Sequence, residues 1–311
     1  MSEVVIVMGF PASGKTRTTD SYVQKGYVRL NRDTEGGTVA DLLPKLETLL
    51  KQKKNVVMDN LFATAATRKG VIALAKNNGV AARCVLLNAT LEDAQFNACL
   101  RMMERAGKIL DPKEKTNDPN LFPMAVIYKY RKEFEKPSKA EGFESVEVVP
   151  FEREWPKDWT NEAVIFDYDG TLRDTISGEK FPRTPADIKI LPGRKEKLAK
   201  LKAAGTLMLG VSNQSGVAKG DLTLDQAVAC FKETNRLLGV DIPVLFCPHK
   251  VPPITCYCRK PGTGLGVELI VKHKLDPRKC TFVGDMGTDK SFAARCFFKF
   301  QDQNQFFGAG S

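Results

Sequence analysis

Val4-Val5-Ile6-Val7-Met8-Gly9-Phe10-Pro11-Ala12-Ser13-Gly14-Lys15-Thr16 is a strand-length apolar run followed by a glycine-bounded loop. The loop matches the spacing G-x-x-x-x-G-K-[ST], and the residues after it read as a helix. Glycines in that spacing let backbone N–H groups curl around phosphate oxygens, and the helix N-terminus adds favourable partial charge. Gly9, Ser13, Gly14, Lys15 and Thr16 are therefore expected to hold a nucleotide. Lys15 would reach the β- and γ-phosphates of ATP, and the Thr16 hydroxyl would hold Mg²⁺. A chance glycine-rich turn explains neither the strand before the loop nor the helix after it.

Outward from this loop, short apolar runs alternate with amphipathic ones. Val4–Met8, Tyr27–Leu30, Val56–Met58, Arg83–Leu87 and Val146–Val149 read as strands, with helices around Val39–Gln52 and Arg68–Asn77. The pattern resumes with Val164–Phe166, Leu207–Val211, Val244–Phe246, Thr281–Val283 and Phe297–Phe300. Strands alternating with helices imply parallel sheets of βαβ units. Between the two series lies Pro150-Phe151-Glu152-Arg153-Glu154-Trp155-Pro156-Lys157-Asp158-Trp159, a proline-bounded charged stretch that reads as a linker. In such sheets ligands bind at the carboxyl ends of strands, and every motif singled out below falls at one.

The 311 residues suffice for two domains, and 42% hydrophobic with 27% charged residues excludes a disordered chain. No apolar run approaches the roughly 20 residues of a membrane helix. The stretch before Val4 has no secretory n-region. A cytoplasmic or nuclear protein without a membrane partner is expected. The net charge is +10, with Lys and Arg in excess in both halves. That favours a polyanionic partner, although a solubility surface explains it nearly as well. Of the eight cysteines, Cys84, Cys99, Cys230 and Cys296 sit in apolar stretches as core fillers, and Cys280 opens a strand.

Within the first half, Asp33 follows the second strand in Asn31-Arg32-Asp33. It reads equally as a proton acceptor for an attacking hydroxyl and as the N-cap of the next helix. Asp59 ends the third strand, where a carboxylate would orient Mg²⁺. Arg101 and Arg105 share a helix face, either as a lid supplying positive charge or as surface arginines. Asn31-Arg32-Asp33-Thr34, Met58-Asp59-Asn60, Leu91-Glu92-Asp93-Ala94 and the run from Tyr128 to Pro137 with Glu141-Gly142-Phe143 closely resemble the kinase domain of polynucleotide kinase/3′-phosphatases. The resemblance implies that Asp33 is the general base for a 5′-hydroxyl and that Arg101 is a basic lid residue.

In the second half, Asp167-Tyr168-Asp169-Gly170-Thr171 follows a strand. It resembles the D-x-D-G-T signature of haloacid dehalogenase phosphatases, and the resemblance implies a nucleophile, Asp167, and an acid–base, Asp169, two residues on. Ser212, Lys260 and Gly284-Asp285, with Asp289 beyond, follow at later strand ends in the order that resemblance implies. Ser212 and Lys260 would bind the transferring phosphoryl group. Asp167, Asp169, Asp285 and Asp289 are the expected Mg²⁺ side chains. Cys247, His249, Cys256 and Cys258 form a compact Cys₃His set in one loop, suited to a closed, structural Zn²⁺ site. The loop resembles that of zinc-bearing histidinol-phosphate and heptose-bisphosphate phosphatases.

The fold class expected is thus α/β in two domains. A P-loop NTPase-type parallel sheet occupies residues 1–152, and a Rossmann-like haloacid dehalogenase phosphatase sheet occupies 160–311. Between Leu172 and Leu191 there is room only for a hairpin-like flap. Together these readings point to nucleic-acid end healing. An ATP-dependent kinase would phosphorylate a 5′-hydroxyl of DNA or RNA, and a Mg²⁺-dependent phosphatase would remove a 3′-phosphate through an aspartyl-phosphate, leaving ends a ligase or repair partner can use. The alternative is a small-molecule kinase fused to a sugar- or histidinol-phosphate phosphatase. A non-catalytic scaffold is disfavoured, because Lys15, Asp33, Asp167 and Asp169 are all present.

Overall fold

The computed structural model describes residues 2–253 and 255–308. They form two compact units: residues up to 98 with 116–153, and residues 99–115 with those from 154 onward. Among the described residues no helix is long and apolar enough to cross a membrane.

The first unit runs β1 (Glu3–Met8), α1 (Lys15–Gln24), β2 (Val28–Leu30), α2 (Arg32–Glu35), α3 (Leu43–Lys51), β3 (Val56–Asp59), α4 (Ala65–Asn77), β4 (Ala81–Asn88), α5 (Leu91–Ala106), α6 (Met124–Glu133) and β5 (Ser145–Pro150). Its parallel sheet has the order β2-β3-β1-β4-β5. Val4 through Met8 are wholly buried because β1 is central and covered on both faces. Val4, Ile6 and Met8 pack in one apolar cluster with Leu46, Val71 and Ile72, while Val5 and Val7 pack in another with Val57, Val85 and Leu87. That alternation follows the two-residue period of a strand.

The second unit runs β6 (Val164–Phe166), β7 (Arg173–Thr175), β8 (Ile188–Ile190), α7 (Arg194–Ala203), β9 (Met208–Asn213), α8 (Ser215–Lys219), α9 (Leu224–Leu238), β10 (Val244–Cys247), α10 (Gly264–His273), β11 (Thr281–Gly284), α11 (Gly287–Arg295), β12 (Lys299–Asp302) and α12 (Gln303–Phe307). Its parallel sheet is ordered β10-β9-β6-β11-β12. Strands β7 and β8 pair antiparallel as the expected flap.

Two sequence expectations change. Residues 99–115 group with the second unit rather than with the first 152 residues. Cys99 Sγ lies 3.8 Å from Thr263 Oγ1, so the last turns of α5 pack where the chain enters α10. The stretch 150–159 is no free linker either. Pro150 ends β5, Arg153 pairs with Asp93, and Trp155 lies between Trp159 and Phe297.

In the first unit, Arg68 is fully buried on α4 and grips Glu141 with two hydrogen bonds of 2.7 and 2.8 Å. Its third donor reaches the Phe62 carbonyl at 2.9 Å, steadying the turn beyond β3. Glu141→Ala would leave that guanidinium buried without a counter-charge. The expected cost is about 3–5 kcal/mol, read as a lower unfolding midpoint of this unit in urea. An unchanged midpoint would refute the role given to the pair.

Candidate active sites

Gly9 stands at φ 151°, and a Cβ there would lie 2.9 Å from the Leu87 carbonyl oxygen. Only glycine lets the loop pass this close to β4. The loop ends at Gly14, and α1 begins with no side chain capping its first turn. A helix start of this kind directs its first N–H groups toward an anion. Lys15 Nζ donates to the carbonyls of Gly9 (3.1 Å) and Phe10 (2.7 Å), folding back over the loop. Ser13 Oγ is buried without a hydrogen-bond partner, and Thr16 is exposed. An uncapped helix start, an orphaned hydroxyl and a lysine folded back over the loop fit a polyphosphate. Asn97 Nδ2 holds the loop's Ala12 carbonyl at 2.8 Å. Arg153 in turn donates to Asn97 Oδ1 at 2.5 Å and to Asp93 at 3.3 Å, beneath the Phe96 ring.

Asp59 ends β3, the sheet neighbour of β1, and Asp33 lies at the start of α2, just beyond the edge strand β2. The N-cap of α2 is Asn31, not Asp33: the Asn31 side chain accepts from the Asp33 N–H at 2.6 Å. The capping reading of Asp33 is thereby corrected, and its carboxylate stays half exposed, 3.5 Å from Arg32 Nε. Asp59 is buried, with Oδ2 2.6 Å from Arg29. Arg101 is half-buried and Arg105 exposed, both on the turns of α5 that group with the second unit.

In the second unit four strand ends converge. Asp167, just beyond β6, donates its N–H to Val283 of β11. Lys260 Nζ lies 2.7 Å from Asp167 Oδ1 and 2.8 Å from Asp289 Oδ1, and donates to the Val211 carbonyl at 3.2 Å. Asn213 clamps the Lys260 backbone from both sides, accepting from its N–H and donating to its carbonyl. Ligand atoms of Asp167, Asp285 and Asp289 lie within 4.8 Å of one another. Burial pushes the Asp167 carboxyl up to about 7, with Lys260 opposing and Asp289 adding to the rise. Burial alone would lower the Lys260 ammonium, yet the two facing carboxylates raise it. When all three carboxylates are ionised against the one ammonium, two negative charges remain, which suits a divalent cation held by hard oxygens.

Asp169 stands outside this acid cluster, so the four-carboxylate expectation reduces to three. Its oxygens accept from Arg173 Nε (2.8 Å) and Gln214 Nε2 (2.7 Å), and Gln214 also reaches Ser212 Oγ at 3.0 Å. Arg173 is buried over the Tyr168 and Phe231 rings and bonded to Thr234, which ties the acid–base candidate to the first flap strand.

The Cys₃His set closes on itself. Cys247 Sγ lies 3.6 Å from Cys256 Sγ and 3.5 Å from His249 Nδ1, which is 3.1 Å from Cys258 Sγ. A tetrahedral Zn²⁺ with ordinary bond lengths sets sulfur–sulfur edges of about 3.8 Å and sulfur–nitrogen edges of about 3.6 Å. The donor set fits zinc. Hydrogen bonds among the three thiols lower Cys256 and raise Cys247 and Cys258.

Comparison with known proteins gives separate matches for the two halves of the sequence. The family model described as "Polynucleotide kinase 3 phosphatase" matches residues 162–307, and that described as "AAA domain" matches residues 4–137. A bifunctional polynucleotide phosphatase/kinase of Schizosaccharomyces pombe is 32% identical over 150 residues, which are 48% of this chain but only 34% of that protein. A probable D-glycero-D-manno-heptose-1,7-bisphosphate 7-phosphatase of Thermoplasma volcanium is 32% identical over 149 residues, 45% of this chain and 97% of that one. The crystal structure of D,D-heptose 1,7-bisphosphate phosphatase from B. bronchiseptica shares 27% identity, covering 45% of this chain and 79% of that one, with a TM-score of 0.41.

The chain joins a P-loop domain of the AAA type to a haloacid dehalogenase-type phosphatase domain. The motifs picked out the strand-end residues of both domains. Asn97, Arg153, Arg173 and Gln214 were missed. A partial signal existed for Asn97, which lies one helical turn after Asp93 on α5 and so shares its face.

Gly170 shows how tightly the phosphatase turn is built. It sits at φ 80°, and a Cβ there would lie 2.5 Å from Asp285 Oδ2. Gly170→Ala is expected to displace Asp285 and strain the turn by about 1–3 kcal/mol. Hydrolysis of a small phosphomonoester should fall roughly tenfold or more, with kinase activity unchanged. Full phosphatase activity in the variant would contradict the fit described.

Proposed function

We propose that the chain heals nucleic-acid ends, phosphorylating a 5′-hydroxyl with ATP and removing a 3′-phosphate. The observation carrying this reading is the union of two phosphoryl-transfer sites of opposite sense in one chain. The phosphatase half matches a polynucleotide phosphatase model, and both halves carry excess positive charge. A small hairpin flap, rather than a large lid, suits a site that must admit the end of a polymer.

In the kinase, the loop N–H groups and Lys15 hold the phosphates of ATP, with Thr16 and Asp59 as the Mg²⁺ side. Asp33, exposed because Asn31 takes the capping role, accepts the proton of the 5′-hydroxyl as its oxygen bonds to the γ-phosphorus, whose bond to the bridging β-phosphate oxygen breaks to release ADP. Arg101 retains the lid role that the family resemblance implies.

In the phosphatase, Asp167 attacks the 3′-phosphate, forming its O–P bond as the bond to the 3′-oxygen breaks. Asp169, aimed by Arg173 and Gln214, gives that oxygen a proton and then takes one from the water that hydrolyses the aspartyl-phosphate. Ser212 and Lys260 hold the phosphoryl oxygens. Asp167, Asp285 and Asp289 would hold Mg²⁺, which supplies charge neutralisation when bound. Cys247, His249, Cys256 and Cys258 would hold a structural Zn²⁺.

The runner-up is a phosphatase for a small sugar bisphosphate, favoured by the near-complete coverage of the Thermoplasma volcanium relative. An oligonucleotide bearing a 5′-hydroxyl and a 3′-phosphate separates the two. With Mg²⁺ and labelled ATP, the wild type should label the 5′ end and release 3′-phosphate, both weakening steeply with salt. Lys15→Ala should abolish the labelling alone, and Asp167→Asn the release alone. Asp33→Asn should slow labelling by roughly 10²- to 10⁴-fold. Hydrolysis of sugar bisphosphates with no turnover of the oligonucleotide at either end would install the runner-up.

A further inference from the structure

His249 presents different nitrogens to different neighbours. Nδ1 faces the thiols of Cys258 and Cys247, while Nε2 lies 2.9 Å from Asp111 Oδ2. Asp111 stands 138 positions away in sequence, in the segment after α5 that groups with the second unit. A neutral imidazole carries one N–H and one lone pair, and a carboxylate only accepts. The carboxylate therefore draws the proton to Nε2 and leaves the Nδ1 lone pair directed at the cluster.

Asp111 is no loose surface acid. Its Oδ1 accepts from the Lys113 N–H at 2.9 Å, and its carbonyl from the Glu114 N–H at 2.9 Å, so a turn fixes the carboxylate with Oδ2 toward His249. A Lys108–Glu114 ion pair of 2.9 Å ties the two ends of this turn together. An isolated exposed His–Asp pair stabilises little. One that sets which nitrogen of a metal-binding histidine is free contributes to every metal bond that nitrogen makes.

We infer that Asp111 is a positioning residue for the Cys₃His site, holding His249 as the tautomer that binds Zn²⁺ through Nδ1. The inference rests on the zinc reading of that cluster. Loss of a carboxylate behind a metal-bound histidine typically weakens metal binding 10- to 100-fold.

The test uses the full chain loaded with Zn²⁺ and titrated with a chromogenic chelator. Asp111→Ala should bind Zn²⁺ about 10- to 100-fold more weakly than wild type. Asp111→Asn, whose amide oxygen still accepts from Nε2–H, should fall between them. Circular dichroism of both variants should match wild type, the exposed turn being remote from the core. With only two histidines in the chain, long-range ¹H–¹⁵N correlation can assign His249 and is expected to show Nε2 protonated and Nδ1 shifted by the metal. Wild-type affinity in Asp111→Ala, or metal on Nε2, overturns the role of Asp111 and leaves the zinc reading standing. A wild-type chain that retains no Zn²⁺, with Cys256→Ser indistinguishable from it, overturns both.

Discussion

Both sheets begin with their central strand, and the placement of the chemistry depends on that constraint. Strands β1 and β6 each pair with neighbours on both sides, so the chain must turn one way from one neighbour and the opposite way from the other. Crossovers are right-handed, so reversing direction puts successive helices on opposite faces. A crevice is then left at the carboxyl end of the central strand. The phosphate loop leaves β1 and Asp167 leaves β6 at this point. The apolar character of Val4–Met8, needed because β1 is covered on both faces, is therefore also what sets the phosphate-binding loop in place.

In the phosphatase unit a charge balance is laid over that geometry. Lys260 is buried with its ammonium between Asp167 and Asp289, a position that would be costly for either sign alone. The ammonium lets the two carboxylates approach, and the carboxylates keep the lysine charged. Asp285, at the rim, adds charge that the lysine does not offset. The cluster is thus short of positive charge where a metal and a phosphoryl group would meet. Asn213 makes the balance possible, because its amide holds the Lys260 backbone while the side chain crosses to Asp167.

Much of this was legible in the sequence, for a physical reason. Strand periodicity, glycine spacing and the residue after a strand are local properties, so the strands, the loop at Gly9–Thr16 and Asp167, Ser212, Lys260 and Asp285 could be located from the pattern alone. Asp33 marks the limit of local reading. The competition between Asn31 and Asp33 for the capping position is decided by Asn31, which also donates to the Asp59 carbonyl. That contact spans two strands and leaves no trace in the spacing. The grouping of residues 99–115 with the second unit was hidden in the same way, since a helix as regular as α5 does not announce where along its length its packing partners change.

The residues that sequence reading missed are of one kind. Arg153 aims Asn97 across 56 positions, and Gln214 aims Asp169 across 45. Each of these side chains orients another group: Arg153 holds Asn97, which holds the loop at Ala12, and Arg173 and Gln214 hold Asp169. Groups that bear chemistry are tied to strand ends, because only there does the backbone expose them to a ligand, and so they recur at fixed offsets within motifs. Groups that orient them need only the right hydrogen-bonding type and a reachable position, and any part of the chain can supply both. Chemistry is therefore concentrated in short stretches of this sequence, while the geometry that makes it productive is dispersed across the whole of it.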